Sequence, residues 1–260
     1  MDSPLVIIEQ NDSFAIIRFS PPEKSNALSR EMIPTLQQTF QNLEHQPDLR
    51  AIILFGVGDH TFSSETNVAE PSEVAQTEVC GDRQGHQTLY DQITKCTVPV
   101  IVIVDGVIAG ACLELALACH LRIASAKASF RFPESGPDSS AGPSAVQRLA
   151  REIGSERALE ICESGRTVFA EEALRIGLIN RTALEGRLLT EAESLARHIS
   201  TMAPLAIRAC LEAVTRGVEL PLVEGLTLES QLFASLFGTN DVREGTSAFL
   251  EKRQPIFKGN

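Results

Sequence analysis

Two glycines and a carboxylate stand where this sequence passes from an apolar strand into an apolar helix. In VDGVIAGACLELALA, Gly106 and Gly110 come just before a run of helical composition, and Glu114 is the one charge inside that run. The first N–H groups of a helix have no intrahelical partner and lie at the positive end of the macrodipole. Such groups suit a carbonyl oxygen that gains negative charge during a reaction. Gly110-Ala111-Cys112 keeps the side chains small, so a ligand can come close to the backbone. Glu114 is expected in the first turn, where a carboxylate also serves simply to complement the dipole. A second carboxylate, Glu134, follows the strand-like run Ala128–Phe132 and Pro133, which holds the chain extended. Taken alone, Glu134 also fits a surface loop. The segment is not a dinucleotide fingerprint, because GxGxxG is absent.

Other reactive residue types are scattered. The six cysteines, Cys80, Cys96, Cys112, Cys119, Cys162 and Cys210, contain no CxxC pair. They read as small buried hydrophobes in a reducing compartment. His120 beside Cys119 is a weak metal hint, and no metal site is expected. The net charge of −11 argues against non-specific binding to nucleic acid, which needs cations to neutralise phosphates. A small anionic ligand needs only a few local Lys or Arg and remains compatible with that charge. No apolar run approaches the ~20 residues of a membrane-spanning helix. The N-terminus lacks the basic start and long apolar segment of a secretory signal, so a cytoplasmic protein is expected.

The elements that must position these residues are legible in the apolar periodicity. Leu5–Glu9 and Phe14–Phe19, parted by Asn11-Asp12-Ser13, read as a hairpin. A loop over Pro21–Ala27 precedes a helix with Ser29 as N-cap and a stripe of Met32, Ile33, Leu36, Phe40 and Leu43. Ala51–Phe55 and Val98–Val104 are continuous apolar runs and read as buried strands. Residues 57–82 are polar and read as an irregular loop. Asp105-Gly106 turns the second buried strand toward the helix Ala109–Ala118, and Leu121–Ala124 and Ala128–Phe132 are further strands. This alternation is that of an α/β core. Beyond about residue 132 the sequence reads as nearly all helical: Ser144–Ile153, Ser155–Ser164, Ala170–Ile176 with Gly177 as C-cap, Leu188–Met202, Pro204–Arg216, Leu220–Phe237 and Asp241–Lys252. Leu226, Leu232, Phe233, Leu236 and Phe237 give the tail an apolar surface for its own core or for a neighbouring subunit.

At this point the sequence resembles the crotonase (enoyl-CoA hydratase/isomerase) superfamily over nearly its whole length. The pieces that carry the resemblance are PPEKSNALS, TFSSETNVAE, VPVIVIVDGVIAGACLELALACHLRIASAKASFRFPE, AVQRLAREIG, AEEALRIGLIN and NDVREGTSAFLEKRQPIFKG. The resemblance implies an α/β fold, a spiral of ββα units with a C-terminal helical trimerisation region. Residues 1–200 would form the core, and 201–260 a helical region for oligomerisation and pocket closure. A homotrimer or dimer of trimers is implied.

In the hydratase branch, two backbone N–H groups polarise the thioester carbonyl, by position those of Thr66 and Ala111. Two glutamates, matching Glu114 and Glu134, hold water over the double bond and act as an acid–base pair. Two carboxylates in a poorly hydrated pocket can hold the different protonation states this needs. Coenzyme A enters as part of the acyl-CoA substrate, with no separate cofactor. Its binding is assigned to Lys24, Ala27, Leu28, Ser63, Ser64 and Gly110, with Lys258 near the C-terminus as a further phosphate partner that reaches a CoA in a neighbouring subunit. Three departures from the family pattern stand out. Glu65 replaces a glycine in the Ser64-Glu65-Thr66-Asn67 stretch, Gly110-Ala111-Cys112 replaces a glycine-rich triplet, and Asp138 brings a third acid after Glu134. Hydration of an enoyl-CoA is the first expectation. Another crotonase reaction (isomerase, thioesterase or decarboxylase) and a non-catalytic acyl-CoA- or protein-binding relative are the alternatives.

Overall fold

The computed structural model describes residues 6–11, 13–19, 28, 32–56, 75–132 and 145–260, with the backbone alone described at 75–84. Continuous apolar runs become strands buried on both faces. β1 (Val6–Gln10) pairs antiparallel with β2 (Phe14–Phe19), as the hairpin signal predicts. β2 then runs parallel to β3 (Ala51–Gly56), and β3 parallel to β4 (Val100–Val104). β6 (Leu121–Ser125) and β9 (Arg181–Ala183) complete a six-stranded sheet of order β1-β2-β3-β4-β6-β9.

Alternate residues of these strands feed two cores. Ala15, Ile17, Ile52, Leu54, Val100, Val102 and Val104 face one way. They pack with the buried stripe of α1 (Met32–Glu44), with α2 (Ala75–Thr94) and with α3 (Gly110–Ala118). Phe14, Ile16, Ala51, Ile53, Ile101, Ile103 and Ile123 face the other way, against Leu188, Ala192 and Ala196 of α7 (Leu188–Ser200). Burial on both faces is why the strands read as unbroken hydrophobic runs.

A smaller sheet of order β5-β7-β8 holds Val107–Ala109, Ser129–Arg131 and Thr167–Phe169. β4 lies in the large sheet and β5, only two residues later, in the small one, before the chain enters α3. β6 and β7 repeat the step before α4 (Ala145–Ile153) and α5 (Ser155–Ser164). This repeated ββα path is the expected architecture. Gly106 makes the first corner at φ 84, a left-handed conformation that glycine adopts without a Cβ penalty.

The helices α6 (Ala170–Ile176), with Gly177 at φ 84 as its cap, α8 (Pro204–Gly217), α9 (Leu222–Leu236) and α10 (Asn240–Glu251) lie close to their expected limits. Other expectations are corrected. Residues 75–82 are helical, as the start of α2, whose polar composition hid its period. β8 and β9 interrupt the stretch read as all helical. Three-residue strands are too short for an alternation signal, and a sheet edge recruits them. Cys210 is exposed, whereas Cys96, Cys112, Cys119 and Cys162 are buried free thiols. In the apolar tail, neither α8 nor α9 has a buried residue. The Ser29 cap and the Pro21–Ala27 loop lie outside the described residues. None of the described helices is long and apolar enough to cross a membrane.

Candidate active site

α3 is apolar nearly all round because it is buried nearly all round. Its entrance is set by backbone alone. Ala109, the N-cap, is extended (φ −152, ψ 172) and has no side-chain acceptor to offer the first-turn N–H groups. Gly110 follows at φ 52, again a conformation that favours glycine. Gly110 and Cys112 are buried, and Ala111 between them is partly accessible.

Glu114 is 3% exposed and is the fifth residue of α3, just past the first turn in which it was expected. The helix starts at Gly110, one residue after the expected Ala109, because β5 consumes Val107–Ala109, and Glu114 still falls in the second turn. Simple dipole complementation at the first turn therefore does not account for Glu114, since the effect falls off within that turn. At a spacing of three, Ala111 and Glu114 share one helix face.

One neighbour, Tyr90, escaped the sequence reading as a site residue. The Tyr90 hydroxyl, from α2, donates to the Ala111 carbonyl at 2.8 Å. Burial first, and then the negative charge of Glu114, push the Tyr90 phenol far above its ordinary pKa. It therefore stays a hydrogen-bond donor. The Leu28 backbone hydrogen-bonds to the Cys112 sulfur, and burial pushes that thiol up to about 11. Protonated at neutral pH, Cys112 is unsuited to be a nucleophile. No local sequence signal marks Tyr90, which lies 21 residues from its partner on a different helix.

The far end of α3 is fixed by charge. Arg122, 2% exposed, donates to the carbonyls of Ala116 (3.3 Å), Cys119 (2.9 Å) and Leu178 (2.7 Å), and pairs with Glu152 at 2.5 Å. A cation at a helix C-terminus complements the dipole. Both ring nitrogens of His120 have backbone partners. Its Nδ1 accepts the Val100 N–H at 2.9 Å, so Nε2 carries the proton toward the Thr94 carbonyl at 3.2 Å.

Leu28, Gly110, Ala111 and Glu114 thus come together at the entrance of α3. Within one chain Lys258 lies apart from them, as a residue expected to serve a neighbouring subunit would. It lines a cleft of about 330 Å³ beside α10 to which no α3 residue contributes, and its backbone N–H donates to Asp241. Glu134, Thr66, Lys24, Ala27, Ser63 and Ser64, with Glu65 and Asp138, lie outside the described residues.

A two-sheet α/β core that aims a helix entrance and a buried glutamate at one place defines a class as well as a shape. Residues 9–260 match the enoyl-CoA hydratase/isomerase family. The protein YngF of Bacillus subtilis, named for that family, is 35% identical over 259 residues, covering 100% of each chain. The short-chain-enoyl-CoA hydratase of Clostridium acetobutylicum is 30% identical, over 96% of this chain and 95% of its own. The crystal structure of the enoyl-CoA hydratase of Bacillus anthracis superposes with a TM-score of 0.91 at 29% identity, over 99% of this chain and 100% of that one. The chain belongs to the enoyl-CoA hydratase/isomerase family of the crotonase superfamily.

Proposed function

We propose that the protein is an enoyl-CoA hydratase, a lyase that adds water across the 2,3-trans double bond of an acyl-CoA thioester. The observation that carries this reading is Glu114, buried one turn behind the helix entrance that presents Ala111. In the reaction, the thioester oxygen accepts from the N–H groups of Ala111 and Thr66. One of Glu114 and Glu134 takes a proton from water as its oxygen bonds to C3. Negative charge passes through the enolate to the thioester oxygen, and the other glutamate protonates C2. The product is the 3-hydroxyacyl-CoA. Coenzyme A takes part only as the carrier of the acyl group, and no further cofactor is needed.

The test follows loss of the conjugated thioester absorbance of crotonyl-CoA. Glu114→Gln and Glu134→Gln are each expected to lower kcat by about 10²–10⁴-fold, the usual worth of a positioned acid or base. Unaltered rates in both would sink the assignment.

Glu65 favours a second reading, a relative that binds acyl-CoA without turning it over. It puts a carboxylate next to Thr66 in sequence, and a negative charge turned toward the thioester would oppose a developing oxyanion. Binding of crotonyl-CoA without turnover, with activity gained in Glu65→Gly, would support it.

The tail supports a division near residue 200 into a core and an oligomerisation region. Phe233 and Phe237 stack edge-to-face 5.1 Å apart yet are 62% and 65% exposed, and Phe249 is 83% exposed. We read these surfaces as covered by copies of the chain in a homotrimer or dimer of trimers, in the cytoplasm.

A further inference from the structure

Tyr90 is the chain's one tyrosine, and the sequence has no tryptophan. It is 1% exposed, and its single hydroxyl proton is committed to the Ala111 carbonyl. One turn along α2, Thr94 Oγ1 donates to the Tyr90 carbonyl at 2.9 Å, lies 3.3 Å from the Ala118 carbonyl and accepts from Arg148 of α4 at 2.8 Å. α2 therefore meets α3 at both ends and holds it by a full hydrogen bond at the N-terminal one.

α2 is in turn tied to its neighbours. Gln92 donates to the Gln37 carbonyl of α1 at 3.1 Å, Gln37 donates to the Gly85 carbonyl at 3.0 Å, and Arg148 pairs with Asp91 at 3.3 Å. The C-terminal end of α3 also has Arg122 as an anchor. At its N-terminal turn, Tyr90 supplies the α2 side of the hold. That turn carries Ala111, and Glu114 follows on the same face. In chain order α2 also follows the segment that contains Thr66, the other proposed N–H donor.

A donor that stabilises a transition state must be aimed before the reaction, and small misplacements are costly. We propose that Tyr90 is a positioning residue for the reaction. Its phenol, anchored on α2, sets the first turn of α3 and with it the aim of the Ala111 N–H and the Glu114 carboxylate. The kinetic form of this inference rests on the hydratase reading.

The experiment compares the wild-type chain with Tyr90→Phe, which keeps the ring and removes only the hydroxyl. With the variant shown folded at the assay temperature by its thermal melt, kcat for crotonyl-CoA is expected to fall about tenfold. KM should stay within about twofold, since misaim weakens the transition state more than the ground state. Equal kcat values overturn the proposal and leave the hydratase reading intact.

A second measurement needs no variant. Biosynthetic replacement of tyrosine by fluorotyrosine puts one fluorine label on the whole chain, at Tyr90. Its fluorine NMR resonance is expected to move when crotonyl-CoA saturates the protein, and an unmoved resonance overturns the proposal whatever the kinetics. If the wild-type chain leaves crotonyl-CoA unhydrated, the hydratase reading fails by itself, and the response of the fluorine to crotonyl-CoA alone decides the role of Tyr90. The same resonance decides it if Tyr90→Phe does not fold.

Discussion

At Ala111 it is the backbone that the proposed chemistry needs, so the informative changes spare or delete one N–H. Ala111→Gly keeps the donor and should hydrate crotonyl-CoA at close to the wild-type rate. Ala111→Pro removes the donor at a first-turn position, where a helix tolerates proline. Its kcat is expected to fall about 10²-fold or more, the cost of losing one oxyanion donor. Cys112, one residue on, tests a different chemistry. A thiol held at about 11 by burial is protonated and inert at neutral pH. Cys112→Ala should therefore retain most of its activity, and a thiol reagent at pH 8 should modify exposed Cys210 and leave Cys112 intact in the native protein. Loss of activity in Cys112→Ala with an unchanged melt would instead implicate the thiol.

Among elements, α3 matters because both of its ends are held by groups from other parts of the chain. Arg122 satisfies three buried carbonyls and meets Glu152. Arg122→Met would strand those acceptors, and urea unfolding should show a loss of about 3 kcal/mol or more. His120 ties the start of β4 to the end of α2 in its neutral form, and burial pushes its pKa below the ordinary value. The unfolded chain therefore binds a proton there more readily than the folded one. The resulting stability is fully present above about pH 6.5, the unfolded value, and is lost as pH falls from there toward the lower folded value. Stability curves from pH 8 to pH 5 should fall less steeply for His120→Gln than for wild type. Parallel curves would remove His120 from the account.

For the whole molecule, the exposed aromatic side chains of α9 and α10 predict association. Light scattering should give the mass of a trimer or hexamer, and Phe233→Asp combined with Phe237→Asp should shift it toward the monomer. An isolated patch of this kind is ordinarily an interaction surface. An unchanged mass in the double variant would remove this patch from the interface.

Much of this organisation was legible in the residues themselves. Continuous apolar runs marked β3 and β4, a helical stripe marked α1, and Gly106 and Gly110 marked the turn into α3, because each signal comes from neighbours in sequence. Ala111 and Glu114 could be singled out for the same reason, since a helix entrance is a local feature. Where α3 begins was decided by β5, a three-residue strand that exists because β7 lies alongside to pair with it, and this moved the start of the helix from Ala109 to Gly110. The partnership of Tyr90 with Ala111 spans two helices and has no local pattern. The orientation of His120 depends on an N–H and a carbonyl from two other elements. Periodicity reports which face of a segment is buried, and only the packed chain reports which groups from distant segments meet there.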